Sequence, residues 1–146
     1  MEHYRSLGIV LGDTLEWDFS DRPAITLQGK IFLAGNLCLN VTKSLREYKD
    51  RANRSRIETV KYSYNLNIEG VDRSEIFRYD NFDDTPRAGH SSCHHHHRFD
   101  PPGHEVEGSP FEFEDPERRP NLGQVIEEAH QYYLERLAPS EKEQPD

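Results

Sequence analysis

Thr59-Val60-Lys61-Tyr62-Ser63-Tyr64-Asn65-Leu66-Asn67-Ile68 alternates without a break: Val60, Tyr62, Tyr64, Leu66 and Ile68 take one side of an extended chain, polar residues the other. A period of two over ten residues predicts an antiparallel strand buried on one face. Downstream, Glu69-Gly70-Val71-Asp72 is a turn signal, and SEIFRYDN (74–81) reads as a second strand. If Phe77 and Tyr79 share the face of Leu66 and Tyr64, then Arg78 and Asp80 point to the opposite face, across from Asn65 and Ser63. Upstream, Ile25, Leu27, Gly29, Ile31 and Leu33 keep the same period, and Leu37, Leu39 and Val41 resume it after Ala34-Gly35-Asn36. A two-residue turn would scramble the apolar face. A three-residue turn over 34–36, with one residue in the left-handed region, pairs Leu33 with Leu37, Ile31 with Leu39 and Gly29 with Val41. Leu15, Trp17 and Phe19 form a shorter alternation, and Trp17, Tyr62 and Tyr64 are expected in the core.

The chain of 146 residues argues for one domain. Hydrophobic residues make up 34% and charged ones 31%, and mean hydropathy is −0.93, polar for a globular protein. Fifteen aromatics can still anchor a small core. No apolar run approaches the roughly 20 residues of a membrane span, so no membrane association is expected. The N-terminal stretch lacks a basic segment leading into an apolar one, which predicts a cytoplasmic location. Two cysteines 55 positions apart, Cys38 and Cys93, make neither a disulfide framework nor a CxxC motif.

The net charge of −9 is unevenly spread. Residues 43–61 hold seven bases against three acids, and 104–146 hold twelve acids against four bases. The overall balance disfavours a general nucleic-acid coat, because such affinity comes from neutralising phosphates. The basic stretch, with Arg54 and Arg56, could guide RNA or an acidic partner, or be a solvated connection (44–56) between strands. Residues 82–120 sustain no period and read as a long loop with one short edge strand at most. Asn121 with Gln124 three residues on resembles a capping box. It opens a helix whose stripe is Leu122, Val125, Ile126, Ala129, Tyr133 and Leu137. The fold expected is α+β: an antiparallel sheet of about five strands, one C-terminal helix packed on it and a long His-rich loop. The domain is expected to span 1–138, with 139–146 a disordered tail.

Six of eight histidines lie within fifteen residues, including the run Ser91-Ser92-Cys93-His94-His95-His96-His97-Arg98. Three readings stay open. In acid–base chemistry, one imidazole accepts a proton while another donates one, as cleavage of RNA through its 2′-hydroxyl requires. Arg78 and Arg98 would supply a cation for the phosphorane, and Asp80 would orient a partner. In metal binding, His94 with His96, or His95 with His97, would chelate a divalent ion such as zinc or nickel, completed by Asp80, Asp83, Asp84, Asp100 or Cys93. In the third reading the run is a polar surface loop. No Gly-rich phosphate loop, GxSxG elbow or HExxH is present.

The order of features is itself informative: VKYSYNL, then IFRYDN, then CHHHHR, then PNLGQVIEEAHQYY. It resembles the TumE family of toxins from bacterial toxin–antitoxin pairs, over about residues 8–137, with the informative motifs confined to 62–97. Arg78, Asp80 and Asn81 match the family's RYDN-like motif. His94, His95 and His97 match its histidine motif, with Cys93 in the proline place and His96 in the lysine place. Phe82-Asp83-Asp84-Thr85 stands where members often carry a further PHH. The resemblance implies a small toxin neutralised by a cognate antitoxin protein. Joined to the residue chemistry, it suggests a ribonuclease-like toxin with Arg78, Asp80, His95 and His97 catalytic, and Asn81, His94, Arg98, Arg54 and Arg56 contacting RNA. The alternative is a non-enzymatic metal-binding or protein-interaction module.

Overall fold

The computed structural model describes residues 1–81, 94–113 and 120–138. In chain order they form α1 (Glu2–Ser6), β1 (Val10–Asp13), β2 (Glu16–Asp18), β3 (Ala24–Leu33), β4 (Leu37–Lys49), β5 (Ser55–Ile68), β6 (Phe77–Asp80), β7 (His94–Arg98), β8 (Phe111–Phe113) and α2 (Leu122–Tyr132). All eight strands join one antiparallel sheet, in the order β1-β3-β4-β5-β6-β7-β8, with β2 also on β3. The fold is therefore α+β as expected, with eight strands instead of about five. The short edge strand β1 and the β7–β8 pair account for the excess.

The central hairpin follows its hydropathy. Ile31 faces Leu39 and Gly29 faces Val41 across β3 and β4. The 34–36 turn has Gly35 at φ 74° and Asn36 at φ 58°. Gly35 is needed twice over: its φ disfavours a side chain, and a Cβ there would lie 2.8 Å from the Tyr133 ring. β5 and β6 pair Leu66 with Phe77, Tyr64 with Tyr79, Asn65 with Arg78 and Ser63 with Asp80. One face thus collects Leu27, Ile31, Leu39, Val41, Tyr62, Tyr64 and Leu66, all buried. α2 covers it with Val125, Ile126 and Ala129. Each such buried side chain contributes about 1.5–3 kcal/mol for Val, Leu, Ile or Phe. The helix starts at the reciprocal Asn121–Gln124 capping box and ends in one π turn, Tyr133–Leu137.

Three expectations need correction. The 44–56 stretch is mostly strand: β4 continues to Lys49 and β5 begins at Ser55, leaving a turn at 50–54. Its cross-strand glue is polar, which hydropathy does not register. Arg46 pairs with Glu58 at 3.0 Å, and the Asp50 carboxylate accepts from the Ala52 and Arg54 amides. Trp17 is 54% exposed instead of in the core. It sits on the edge strand β2 opposite Leu27, beyond the reach of α2, which packs on β4 and β5. The run His94–Arg98 is a strand and not a loop, paired to β6 and β8. The expected tail at 139–146 lies outside the described residues, as do His90, Asp83, Asp84 and Cys93.

Candidate active site

β7 brings the histidines against the RYDN segment. Its register sets His95 opposite Asp80 and His97 opposite Arg78, while His96 falls opposite Tyr79. Directly paired residues project to the same side of a sheet, so Arg78, Asp80, His95 and His97 share the face away from α2.

There the Asp80 carboxylate, 11% exposed, stands between the two imidazoles. Oδ1 is 3.7 Å from His95 Nδ1 and Oδ2 is 3.6 Å from His97 Nε2. The two rings are 6.1 Å apart. Arg78 donates from Nε to Asp80 Oδ2 at 2.9 Å and from Nη1 to Glu75 Oε1 at 3.0 Å. His97 Nδ1 lies 2.8 Å from Glu105 Oε2, and Ser109 Oγ donates to the same oxygen at 2.8 Å. A carboxylate only accepts, so Nδ1 carries a proton and donates it to Glu105, while Nε2 faces Asp80. Burial works against the ionised form of Glu105, yet the bonds from His97 and Ser109 hold its carboxyl below the usual range. Glu75 goes the other way, because burial outweighs the nearby Arg78 and pushes it up. His95 Nε2 is 3.6 Å from Glu112 Oε1 on β8.

Glu75, Glu105, Ser109 and Glu112 belong to no motif. Strand register brings in Glu112 opposite His95, and the segments flanking β6 and β7 bring in Glu75, Glu105 and Ser109.

The remaining residues singled out from the sequence lie elsewhere. His94, His96 and Arg98 are on the helix face. His94 Nδ1 meets Tyr62 Oη at 2.9 Å. His96 stacks flat on Tyr79, ring centroids 4.1 Å apart, and burial lowers its imidazole to about 4. Tyr79 Oη donates to Glu128 Oε2 of α2 at 2.9 Å. Asn81 is committed to the backbone of β5. Its Oδ1 accepts from Tyr62 N at 2.8 Å and its Nδ2 donates to Val60 O at 3.0 Å, closing the ladder where Val60 bulges out of register. Arg54 and Arg56 both donate to Asp50 Oδ2 at the tip of the β4–β5 hairpin. His94 and His96 share a side, as the metal reading requires, but among the described residues no group of three or more His, Cys, Asp or Glu is arranged to hold a metal ion.

Fold and site together define an α+β protein that displays a histidine–carboxylate–arginine cluster on the sheet face away from its helix. Over residues 9–133 the chain matches the family model described as Toxin TumE, and it belongs to the TumE toxin family. No curated protein and no solved structure matches it. No helix among the described residues is long and apolar enough to cross a membrane.

Proposed function

We propose that this toxin cleaves RNA by general acid–base chemistry at Asp80, His95 and His97, and that a cognate antitoxin protein neutralises it. The observation that carries this reading is the pair of imidazoles 6.1 Å apart on one sheet face, with a carboxylate between them. His97 Nε2 would take the proton of a ribose 2′-hydroxyl as its oxygen attacks the adjacent phosphorus. His95 would give a proton to the departing 5′-oxygen. The products are a 2′,3′-cyclic phosphate and a 5′-hydroxyl, and the protons balance when the two histidines exchange states. Arg78 would face the phosphorane with the guanidinium nitrogen that Glu75 and Asp80 leave free.

Charge sets a condition on this reading. Four carboxylates, Glu75, Asp80, Glu105 and Glu112, share the site with one guanidinium, and that balance opposes a phosphate at close range. Attraction must then come from outside the cluster. The β4–β5 hairpin offers it, with seven bases against three acids over 43–61.

The test is induction of the wild type, His95→Ala and His97→Ala in a bacterial host, followed by analysis of RNA ends. Growth arrest with new 5′-hydroxyl ends in the wild type alone is expected. Arrest with intact RNA would end the ribonuclease reading. Co-expression of the product of the adjacent gene should restore growth.

A further inference from the structure

The rows of residues that meet at the histidines continue across the whole sheet. In one row Lys30, Asn40, Asn65, Arg78 and His97 stand opposite one another from β3 to β7. In the next, Glu16, Gln28, Thr42, Ser63, Asp80, His95 and Glu112 run from β2 to β8. Inward from Lys30 in one row and Glu16 in the other, both are built of amides and hydroxyls until they reach the site. With strands about 4.8 Å apart, Gln28 lies about 14 Å from Asp80 along its row.

The far end of the two rows is shallow and open to solvent. Thr14, Glu16, Gln28, Lys30, Asn40 and Thr42 line a depression of about 450 Å³ where the chain passes from β1 to β2. Gln28, Lys30 and Thr42 are exposed there. Midway along, Asn65 Oδ1 is buried and has no hydrogen-bond partner among the described residues. A buried acceptor left unmet is costly, and most such groups in proteins find a donor.

Amides and hydroxyls recognise riboses and base edges, and cations are the strongest holders of phosphates. Glu16 beside Gln28 keeps a phosphate out of the depression itself, so the phosphate contact falls to Lys30 at its rim. We infer that this face is a track for single-stranded RNA. The depression at Gln28, Lys30 and Thr42 holds a nucleoside unit remote from the histidines. The Asn40–Asn65 and Thr42–Ser63 steps lead the strand to Arg78. The track rests on the RNA reading above and adds a binding site to it. Small sheet domains of the OB-fold kind hold roughly 4–16 nucleotides each.

The experiment uses the full chain and a fluorescent single-stranded RNA of about twelve nucleotides, within that range. Affinity is read by anisotropy in the non-cleaving His95→Ala/His97→Ala protein, with and without Gln28→Ala/Lys30→Gln/Thr42→Val. The added changes should weaken binding about tenfold and lower the salt slope by about 0.7, one phosphate contact on a single strand. Lys30→Gln alone touches only an exposed side chain and its surface pair with Glu69, so it keeps the fold while losing the same slope. Glu127→Gln on the outer side of α2 should bind as the parent does. With the histidines restored, the triple variant should raise KM and leave kcat within about twofold. Unchanged affinity and slope, with RNA cleavage intact, would overturn the track and leave the proposed chemistry standing. Neither binding nor cleavage in any protein would overturn both.

Discussion

The pleat of β7 divides four identical side chains into two unlike pairs. On one face His95 and His97, about 15% exposed, stand among carboxylates that can orient them and take up their charge. On the other, His96 lies flat on Tyr79 under α2 and stays neutral down to about pH 4, and His94 is bonded to a buried tyrosine. On the proposed reading the same ring is a reactant on one side and a packing element on the other. Environment, set by alternation along one strand, decides which.

The largest effect should come from the outer pair. His95→Ala or His97→Ala is expected to cut toxicity and RNA cleavage by about 10²–10⁴-fold, the usual contribution of a positioned acid or base. Melting temperature should barely move, because these rings cover little apolar surface. His94→Ala and His96→Ala should do the reverse: lower the melting temperature and leave cleavage per folded molecule intact. Cleavage lost equally from both pairs would erase the distinction between the faces.

Asn81 sharpens the contrast within RYDN itself. Arg78 and Asp80 face the site, Tyr79 faces α2, and Asn81 ties β6 to β5. Asn81→Ala removes the side-chain bonds to the Tyr62 amide and the Val60 carbonyl, at a cost of about 2 kcal/mol. Chemical denaturation should show that loss while RNA affinity stays unchanged. Weaker RNA binding at unaltered stability would return Asn81 to the substrate.

The inner pair should also leave a mark in the pH dependence of stability. The unfolded chain protonates His96 near 6.5, but burial holds the folded imidazole to about 4. Between those values the unfolded state binds the extra proton, so stability is full above 6.5 and is lost as pH falls toward 4. Allowing for partial solvent access, the loss is on the order of 2 kcal/mol. Burial raises the Glu128 carboxyl, which favours the folded state at low pH and partly offsets the loss. His96→Phe keeps the stack on Tyr79 and removes the titration. Comparing its melting temperature with the wild type's from pH 7 to 4 isolates His96, and parallel curves would show that the ring is not neutral in the fold.

Much of the sheet could be read in advance, and the reason is physical. β3, β4, β5 and β6 alternate apolar and polar residues, so register and facing follow from hydropathy, and Arg78 and Asp80 emerge opposite Asn65 and Ser63. The capping box and apolar stripe announce α2 equally well. The histidine run carries no such signal, since four identical residues have no hydropathic period, and its strand shows only once paired. The ends of β4 and β5 are hidden for a related reason: Arg46–Glu58 and the Asp50 turn hold them with charge. Trp17 misleads because alternation tells which face a residue takes but not how far the helix extends over it. Half of the site was legible through RYDN and the histidines. Glu75, Glu105 and Glu112 were not, because they reach it through the turn before β6, the loop after β7 and the sheet edge.

The smallest expected effect tests what distinguishes His97 from His96 at the level of one hydrogen bond. Glu105 Oε2 accepts from His97 Nδ1 and from Ser109, which fixes both the tautomer and the ring plane. Among the described residues His96 has no such partner, and its Nε2 is buried without one. Glu105→Ala should therefore let the His97 ring turn and lower cleavage about tenfold, less than loss of the imidazole itself. Glu105→Gln retains a carbonyl oxygen that can accept from Nδ1, so it should recover most of that loss. Nitrogen NMR of His97 gives a readout independent of cleavage. The wild type and Glu105→Gln should show Nδ1 protonated and Nε2 bare, and Glu105→Ala should show a mixture of tautomers. If Glu105→Ala keeps the single tautomer, another group orients His97, and Asp80, on the far side of the ring, becomes the residue to vary next.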